Sequence, residues 1–352
     1  MLTPADLKSA LPLPAKAAQT VFQARDDIRS IFARRDHRLL VIVGPCSIHD
    51  PSAALEYGER LAQLRSELGE HLLLVMRTYF EKPRSTVGWR GLIDDPELDG
   101  SCDINAGIRS ARELLLRLNE IGVPCATESL DPLLVGYTDD LVAWTALGAR
   151  TAESQIHRAM ASNLPMPVGI KNATSGDVDI ALDAIETARS AQAVLGTDEH
   201  GRIAVRRSPG NQSAHVVLRG GKSGPNFHAS AVHETQAKLS ARALAQNIIV
   251  DCSHANSNKQ AQRQLAVLHD IASQIGEGNS SIVGVMIESH LFSGRQDLSN
   301  DPSAIRYGVS ITDECLGWDT SASALRQLHE QVASMLVQRQ GAASVDKSAQ
   351  VA

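Results

Sequence analysis

The sequence predicts an α/β protein folded as an eight-stranded (β/α)8 TIM barrel. Eight short runs rich in Val, Ile and Leu recur along the chain, and amphipathic stretches with apolar residues at three- and four-residue spacing separate them. This alternation is typical of parallel strands joined by helices, and eight units favour a closed barrel over a doubly wound sheet. No Gly-x-Gly-x-x-Gly motif follows the first run, which also argues against a dinucleotide-binding sheet.

The eight apolar runs are the predicted strands. They cover residues 39–46, 72–79, 124–130, 144–150, 167–174, 214–221, 247–255 and 282–291. Helical periodicity is clearest over residues 53–68, 106–122, 260–275 and 322–339. Asp50 followed by Pro51 predicts the start of the first barrel helix, because Asp is a preferred N-cap residue and Pro is favoured at the first helical position.

Three segments lie outside a minimal barrel, which itself spans residues 39–338. Residues 1–38 precede the first strand and form an N-terminal extension. Residues 191–212 hold the turn-like sequence Asp-Glu-His-Gly between two β-prone runs, which predicts an inserted β-hairpin. Residues 339–352 are small and polar, and we expect them to form a disordered tail.

Composition excludes several classes of function. The 352 residues carry a net charge of −6 and only 3% aromatic residues, so neither a nucleic acid nor a membrane surface is an expected partner. No apolar run reaches the roughly 18 residues of a membrane span, and the first residues do not resemble a signal peptide. The five cysteines form no paired framework, which indicates a reducing compartment and a cytoplasmic protein.

Polar residues collect where the predicted strands end. The active residues of such barrels lie at the carboxyl ends of the strands, on one face. The strand ends carry, in order, Cys46, Arg77, Glu128, Arg150, Lys171, Arg219, His254 and Glu288. The adjoining loops add Lys82, Arg84, Lys222 and Asp313. Each residue alone is more often structural than functional, and the prediction depends on their joint placement.

These residues form two chemical sets. The first is cationic and comprises Arg77, Lys82, Arg84, Arg150, Lys171, Arg219 and Lys222, which predicts a ligand with more than one phosphate or carboxylate. The second comprises Cys46, His254, Glu288 and Asp313, a mixed sulfur, nitrogen and oxygen set that suits a divalent transition metal able to polarise a carbonyl. His49 is a rival metal ligand, although its place at a helix start favours a position behind the ligands. Cys252 is interpreted as core packing.

Eight sequence blocks resemble the signatures of a known enzyme family. They read GPCSIHD, MRTYFEKPRSTVGWRGLIDDP, GARTAESQIHR, GIKNAT, HVVLRGGKSGPNF, VDCSHANSNKQ, GVMIESHL and YGVSITDECLGW. In this order they resemble the 3-deoxy-D-arabino-heptulosonate 7-phosphate (DAHP) synthases of type I, in their feedback-regulated bacterial and fungal branch. The resemblance covers about residues 39–319, which is most of the chain.

The resemblance implies a reaction and a role for each site residue. Phosphoenolpyruvate condenses with erythrose 4-phosphate and water to give DAHP and phosphate, the first step of the shikimate pathway to aromatic amino acids. The implied phosphoenolpyruvate ligands are Arg77, Lys82, Arg150, Lys171 and Arg219, with the backbone of Gly148 and Ala149. Arg84 and Ser85 would hold the phosphate of erythrose 4-phosphate. Cys46, His254, Glu288 and Asp313 would bind one divalent ion (Mn, Fe, Co or Zn). Lys82 and His254 are candidate proton donors, and Glu128 is the candidate for orienting the water.

Regulation stays open at this stage. The family implies a homodimer or homotetramer and an aromatic amino acid effector, with Leu164, Pro165 and the hairpin near Val194 as candidate pocket residues. Pro165 stands where the family often has Ser or Gly, so tryptophan sensitivity and insensitivity both remain possible readings. Two other functions are weaker alternatives: an octulosonate 8-phosphate synthase, which the KPRS block argues against, and a silent regulatory paralogue, which the intact metal set argues against.

Overall fold

The closed barrel of eight parallel strands is confirmed. The computed structural model describes residues 1–84, 86–299 and 304–349. The barrel strands are β1 (Leu39–Gly44), β2 (Leu72–Arg77), β3 (Cys125–Glu128), β4 (Trp144–Leu147), β5 (Val168–Lys171), β8 (His215–Leu218), β9 (Ile248–Asp251) and β10 (Ile282–His290). They are neighbours in that order, and β1 also pairs with β10, which closes the sheet on itself.

Helices connect the strands and pack around the barrel. They are α1 (Pro4–Ala10), α2 (Ala15–Phe32), α3 (Pro51–Leu68), α4 (Ile104–Glu120), α5 (Val135–Thr138), α6 (Gln155–Asn163), α7 (Asp179–Arg189), α8 (Ala229–Ala241), α9 (Arg263–Gly276) and α10 (Trp318–Ala349). The predicted start of α3 is confirmed, because the Asp50 side chain accepts hydrogen bonds from the backbone N–H groups of Ser52 and Ala53.

Alternating residues of the strands build two separate layers of core. In β1, Leu39, Val41 and Val43 pack outward among the helices, whereas Leu40 and Ile42 belong to a smaller cluster inside the barrel. Both faces are buried, so the strand reads as a continuous apolar run instead of an alternating one. This explains why uninterrupted apolar runs mark the strands in the sequence.

The N-terminal extension closes the base of the barrel. Ile28 and Ile31 of α2 belong to the inner cluster, together with strand residues such as Leu40 and Val75. Arg25 of the same helix donates a hydrogen bond of 2.9 Å to the carbonyl of Val142. The extension is therefore part of the barrel core and leaves the opposite mouth for ligands.

The predicted insertion is an antiparallel hairpin, β6 (Gln192–Thr197) and β7 (Ile203–Ser208), which forms a sheet of its own. Asp198 shapes its turn by accepting hydrogen bonds from the backbone N–H groups of His200 and Arg202. Leu195 and Ile203 on its outer side are 77% and 85% exposed.

Two features differ from the sequence prediction. Helix α10 continues to Ala349, so residues 339–349 are helical where we expected a disordered tail, and the Ala- and Gln-containing composition of that segment is compatible with helix. The two-residue strand β11 (Leu316–Gly317) pairs with the end of β10 and was too short for any periodicity to reveal. Within the described residues, no helix has the length and apolar character that crossing a membrane requires.

We expect Gly169→Ala to destabilise the barrel interior. A Cβ atom at Gly169 would lie 2.2 Å from Cζ2 of the fully buried Trp144 and 2.7 Å from Cγ2 of Val217. Overpacking of this kind typically costs about 1–3 kcal/mol of unfolding free energy, which urea titration measures. Gly276→Ala, where nothing lies within 4 Å, is the matched control and should not destabilise. Equal stabilities of the two variants would contradict the packing argument.

Candidate active site

Three of the four predicted metal ligands meet at the carboxyl end of the barrel. Cys46 follows β1, Glu288 lies on β10 and Asp313 precedes β11. The cysteine sulfur and one oxygen from each carboxylate all lie within 4.8 Å of one another. The pairing of β1 with β10 causes this convergence, because it sets Gly44 opposite Glu288.

His254 stands at the edge of this cluster. Its Nε2 lies 3.9 Å from Oε1 of Glu288, whereas its Nδ1 lies 2.9 Å from Oδ2 of Asp251 and 2.7 Å from Oγ of Ser253. The backbone of His254 is left-handed, with φ of 56°, a conformation that is costly for a residue with a Cβ. A carboxylate behind a histidine fixes the orientation of the ring and raises its basicity toward a metal. His254 is thus oriented for the cluster although it does not share the mutual spacing of the other three. His49, the rival ligand, is buried against His290 and is not part of the cluster.

Cations surround the cluster. The ammonium of Lys82 lies 3.2 Å from the Cys46 sulfur, the Arg77 guanidinium lies 3.1 Å from Glu288, and the Lys259 ammonium lies 3.6 Å from Asp313. Burial raises the pKa of the Cys46 thiol, and the Glu288 charge raises it further. Burial alone would lower the pKa of Lys82, but the charges of Cys46 and Glu288 outweigh it and raise that pKa.

Asp251 is a second buried anion beneath the cluster. It ends β9, is fully buried and lies 3.2 Å from the ammonium of Lys171. Burial opposes its charge, but His254 and Lys171 outweigh burial and hold the pKa of Asp251 well below its usual range. The carboxylate therefore stays ionised and orients both the His254 imidazole and the Lys171 ammonium.

Asp313 of this cluster and His254 line a cleft with a volume of about 230 Å³. The lining is rich in cations and comprises Tyr79, Lys82, Pro83, Arg84, Thr86, Val87, Glu128, Gly148, Ala149, Arg150, Lys171, Arg219, His254, Lys259, Thr312 and Asp313. Lys222 is exposed and does not line this cleft. Arg77 is fully buried behind the lining, and Ser85 lies outside the described residues.

Glu128 has an unusual environment within this cleft. It is buried, and its Oε1 has no hydrogen-bond partner among the described residues. That oxygen occupies the space next to Gly148, where a Cβ atom would lie only 2.3 Å from it. A buried carboxylate oxygen without a partner is costly, and it is available to a ligand or a water in the cleft.

Comparison with known proteins identifies the arrangement. Residues 13–326 match the DAHP synthetase I family. The chain belongs to the DAHP synthetase I family. The Trp-sensitive phospho-2-dehydro-3-deoxyheptonate aldolase of Enterobacter agglomerans is 50% identical over 337 residues, which cover 96% of each chain. The Tyr-sensitive enzyme of Escherichia coli strain K12 is 46% identical over 339 residues, covering 96% of this chain and 95% of its own length.

A solved structure supports the same assignment. Phospho-2-dehydro-3-deoxyheptonate aldolase from Francisella tularensis SCHU S4 superimposes with a TM-score of 0.92 at 44% identity, and 95% of this chain and 97% of that chain are covered. As a DAHP synthetase I family member, the chain is a carbon–carbon bond-forming transferase of aromatic amino acid biosynthesis. Its family condenses phosphoenolpyruvate with erythrose 4-phosphate to DAHP, the first step of the shikimate pathway.

Sequence reasoning missed several residues of this DAHP synthase cleft. Asp251 was interpreted as part of an apolar strand. Its carboxylate lies at the strand end, two residues before the polar pair Ser253 and His254, and this position was a signal for a site residue. Lys259 lies five residues beyond His254, in a loop where Asn258 and Lys259 both adopt positive φ, which no sequence pattern announced. The ring of Tyr79 lies under the Arg77 guanidinium, and Cζ of Arg77 is 3.9 Å from the ring centre.

The buried Glu81 makes the stability of the protein depend on pH. It lies behind Lys82, accepts a hydrogen bond from the Asp131 N–H, and burial raises its pKa from 4.5 to about 8. Between these two values the folded protein retains a proton that the unfolded chain releases. The free energy of unfolding contributed by Glu81 should therefore fall as pH rises from 4.5 to about 8.

Urea unfolding across this range, compared with Glu81→Gln, measures the effect. The glutamine variant should gain stability relative to the natural chain as pH rises. Glu59→Gln, at an exposed position of α3, should show no such trend. A constant difference between Glu81→Gln and the natural chain would contradict a shifted pKa.

Proposed function

We propose that the chain catalyses the metal-dependent condensation of phosphoenolpyruvate, erythrose 4-phosphate and water to DAHP and phosphate, in the cytoplasm. The observation that carries this proposal is the convergence of a thiol, an imidazole and two carboxylates beside a cleft lined by a row of cations. Two phosphorylated substrates repel each other, so a site that joins them needs cations to hold both. The five cysteines, all free thiols, are in keeping with a reducing cytoplasm.

Two groups of residues are proposed to hold the two anions. Arg150, Lys171 and Arg219, with Lys82 and the backbone of Gly148 and Ala149, would hold phosphoenolpyruvate deep in the cleft. Arg77 would act from beneath, after exchanging its contact with Glu288 for one to the substrate. Arg84 would hold the phosphate of erythrose 4-phosphate with Ser85, and its Nε donates to the Trp89 carbonyl at 2.8 Å, which orients the guanidinium.

The residues present fit a divalent metal. Cys46, Glu288 and Asp313 offer one sulfur and two oxygens within 4.8 Å, and His254 offers a nitrogen beside them. Such a donor set suits Mn, Fe, Co or Zn, and the bound ion would supply Lewis acidity for an aldehyde oxygen. Lys82, Lys259 and Arg77 compensate the negative charges in this structure, so binding an ion requires them to shift toward substrate. Binding also requires loss of the Cys46 proton, since burial raises the pKa of that thiol.

The chain's own groups then carry the protons. C3 of phosphoenolpyruvate bonds to the aldehyde carbon of erythrose 4-phosphate, and the alkoxide formed takes a proton from Lys82 or His254. Water adds to C2, and the bond from C2 to the phosphate oxygen breaks, releasing inorganic phosphate. Glu128 would orient that water and accept its proton through the oxygen that lacks a partner in the cleft.

An assay of phosphoenolpyruvate consumption tests the reaction and the metal together. With Mn²⁺ the chain should consume phosphoenolpyruvate only when erythrose 4-phosphate is present, and a chelator should abolish the rate. Arg150→Gln should lower kcat/KM by about 10- to 100-fold, because a charge-assisted hydrogen bond contributes about 1.5–3 kcal/mol. Lys222→Gln, outside the cleft, is the matched control and should retain the rate.

Two results would contradict the proposal. Full activity after the metal has been removed would exclude the metal-dependent form of the reaction. Failure of the folded, reduced and metal-loaded chain to consume phosphoenolpyruvate with erythrose 4-phosphate would exclude the reaction itself, and consumption with arabinose 5-phosphate instead would support the octulosonate alternative.

An aromatic amino acid effector is proposed for a second cavity, of about 360 Å³, between the hairpin, α1, α5 and α6. Ile156, Met160 and Leu164 supply apolar walls for an aromatic ring. Lys8 and Asp139, 2.9 Å apart, supply a positive charge for the carboxylate and a negative charge for the ammonium of an amino acid. Relatives of this chain carry Tyr-, Trp- and Phe-sensitive in their names.

The candidate pocket residues fall partly within this cavity. Leu164 and Val194 line it, whereas Pro165 does not, and the Pro165 carbonyl instead accepts a hydrogen bond of 2.6 Å from Arg29. The exposed apolar side chains of the hairpin favour association into a homodimer or homotetramer.

Adding Phe, Tyr or Trp to the assay of phosphoenolpyruvate consumption tests the effector site. One of the three should inhibit, and Ala159→Trp should abolish that inhibition by filling the cavity while leaving the uninhibited rate unchanged. Ala237→Trp, exposed on α8, is the matched control and should be inhibited normally. Inhibition of Ala159→Trp at natural strength would place the effector elsewhere, and an active chain that none of the three inhibits would support the insensitive alternative.

A further inference from the structure

Three histidines meet at the end of the barrel opposite the cleft. His37 precedes β1, His71 precedes β2 and His329 lies on α10. Since β1 begins at Leu39 and β2 at Leu72, these side chains surround the amino ends of the strands. The proposed reaction uses none of them.

One nitrogen–nitrogen distance within this histidine cluster matches that of a metal site. Nε2 of His37 lies 3.3 Å from Nδ1 of His71. Two nitrogens bound to one tetrahedral zinc at about 2.0–2.1 Å are separated by about 3.3–3.4 Å. The His71 and His329 rings pack with their centres 4.9 Å apart, and the His37 and His71 rings 5.4 Å apart. The cluster therefore already has one edge of a tetrahedral site, with a third imidazole beside it.

The imidazoles of His71 and His329 offer nitrogens that no backbone carbonyl occupies in the described part of the chain. Nε2 of His329 is buried and has no hydrogen-bond partner in the described part of the chain. Oε1 of Glu70 lies 3.9 Å from Nε2 of His71. A proton on that Nε2 would face the carboxylate, which leaves Nδ1 of His71 for the metal.

A simple hydrogen bond explains only part of this arrangement. Nε2 of His37 also lies 3.0 Å from the Glu70 carbonyl, which accounts for the position of the His37 ring without a metal. It does not account for the partnerless nitrogen of His329. The three side chains do not yet have all their ligand atoms within 4.8 Å, so His329 must turn about its side-chain bonds to complete the set. His37 and His329 are only half-buried, which leaves room for that turn and a route for an ion.

We propose that His37, His71 and His329 form a second metal site, which binds a late first-row divalent ion such as Zn²⁺ at the base of the barrel. An all-imidazole set favours zinc, copper or nickel and lacks the thiolate of the catalytic cluster. The ion would join the segments before β1 and β2 to α10, so its role is to stabilise the closed barrel. It takes no part in the reaction.

Counting metal ions per chain tests this site. The Mn²⁺-loaded holoenzyme, dialysed against Zn²⁺ at about pH 7.5 and then analysed for all metals, should hold two ions per chain. His71→Asn should hold one ion and keep its activity. His233→Asn, an exposed histidine of α8, is the matched control and should hold two.

The catalytic and histidine sites are distinguished by variants of each. Cys46→Ser should lose the catalytic ion and keep the other, so a failure of the proposed reaction and a failure of this proposal give different counts. Should His71→Asn not fold, His37→Asn and His329→Asn, at half-buried positions, make the same measurement. A natural chain that holds one ion, or two ions in all three histidine variants, would overturn the proposal.

Discussion

The buried ion pair between Arg77 and Glu288 is the interaction on which the organisation of this barrel depends. Arg77 is fully inaccessible and Glu288 is 2% exposed, and their charged atoms lie 3.1 Å apart. Neither charge would be tolerated alone in this position, since an unpaired buried ion costs several kcal/mol. The two residues end β2 and lie on β10, the neighbours of β1 on either side. Closure of the barrel through β1 is what brings them together.

The same compensation is repeated around the pair. Lys171 faces Asp251 at 3.2 Å, and the Lys82 ammonium lies 3.2 Å from the Cys46 sulfur. This balance explains how a fold can hold so many charges at one mouth and remain stable. In the proposed reaction, the same cations would hold the two phosphorylated substrates. On that proposal, a substrate and a metal ion would replace interactions that these cations already make.

The fold and most of the site were predictable from sequence for one physical reason. Parallel strands buried on both faces read as uninterrupted apolar runs, and the barrel places all their carboxyl ends together, so Cys46, Lys171 and Glu288 were found from position alone. The positions of the N-terminal extension and the hairpin followed from the segments that the eight apolar runs left over, and the sequence blocks specified the family. Contacts made by side chains across distant segments left no such pattern. Asp251 looks like part of a strand, and the histidine cluster joins three segments whose proximity only the closed barrel creates.

Pairing of β1 with β10 has a consequence for the biogenesis of the chain. The first barrel strand finds one of its two neighbours only after nearly the whole barrel sequence has been synthesised, since Leu40 pairs with Gly284. Until then one edge of β1 lacks its partner strand. Contacts of such large sequence separation fold slowly, and unpaired edges favour aggregation. A ribosome-bound chain therefore carries an open sheet edge at β1 for most of its synthesis.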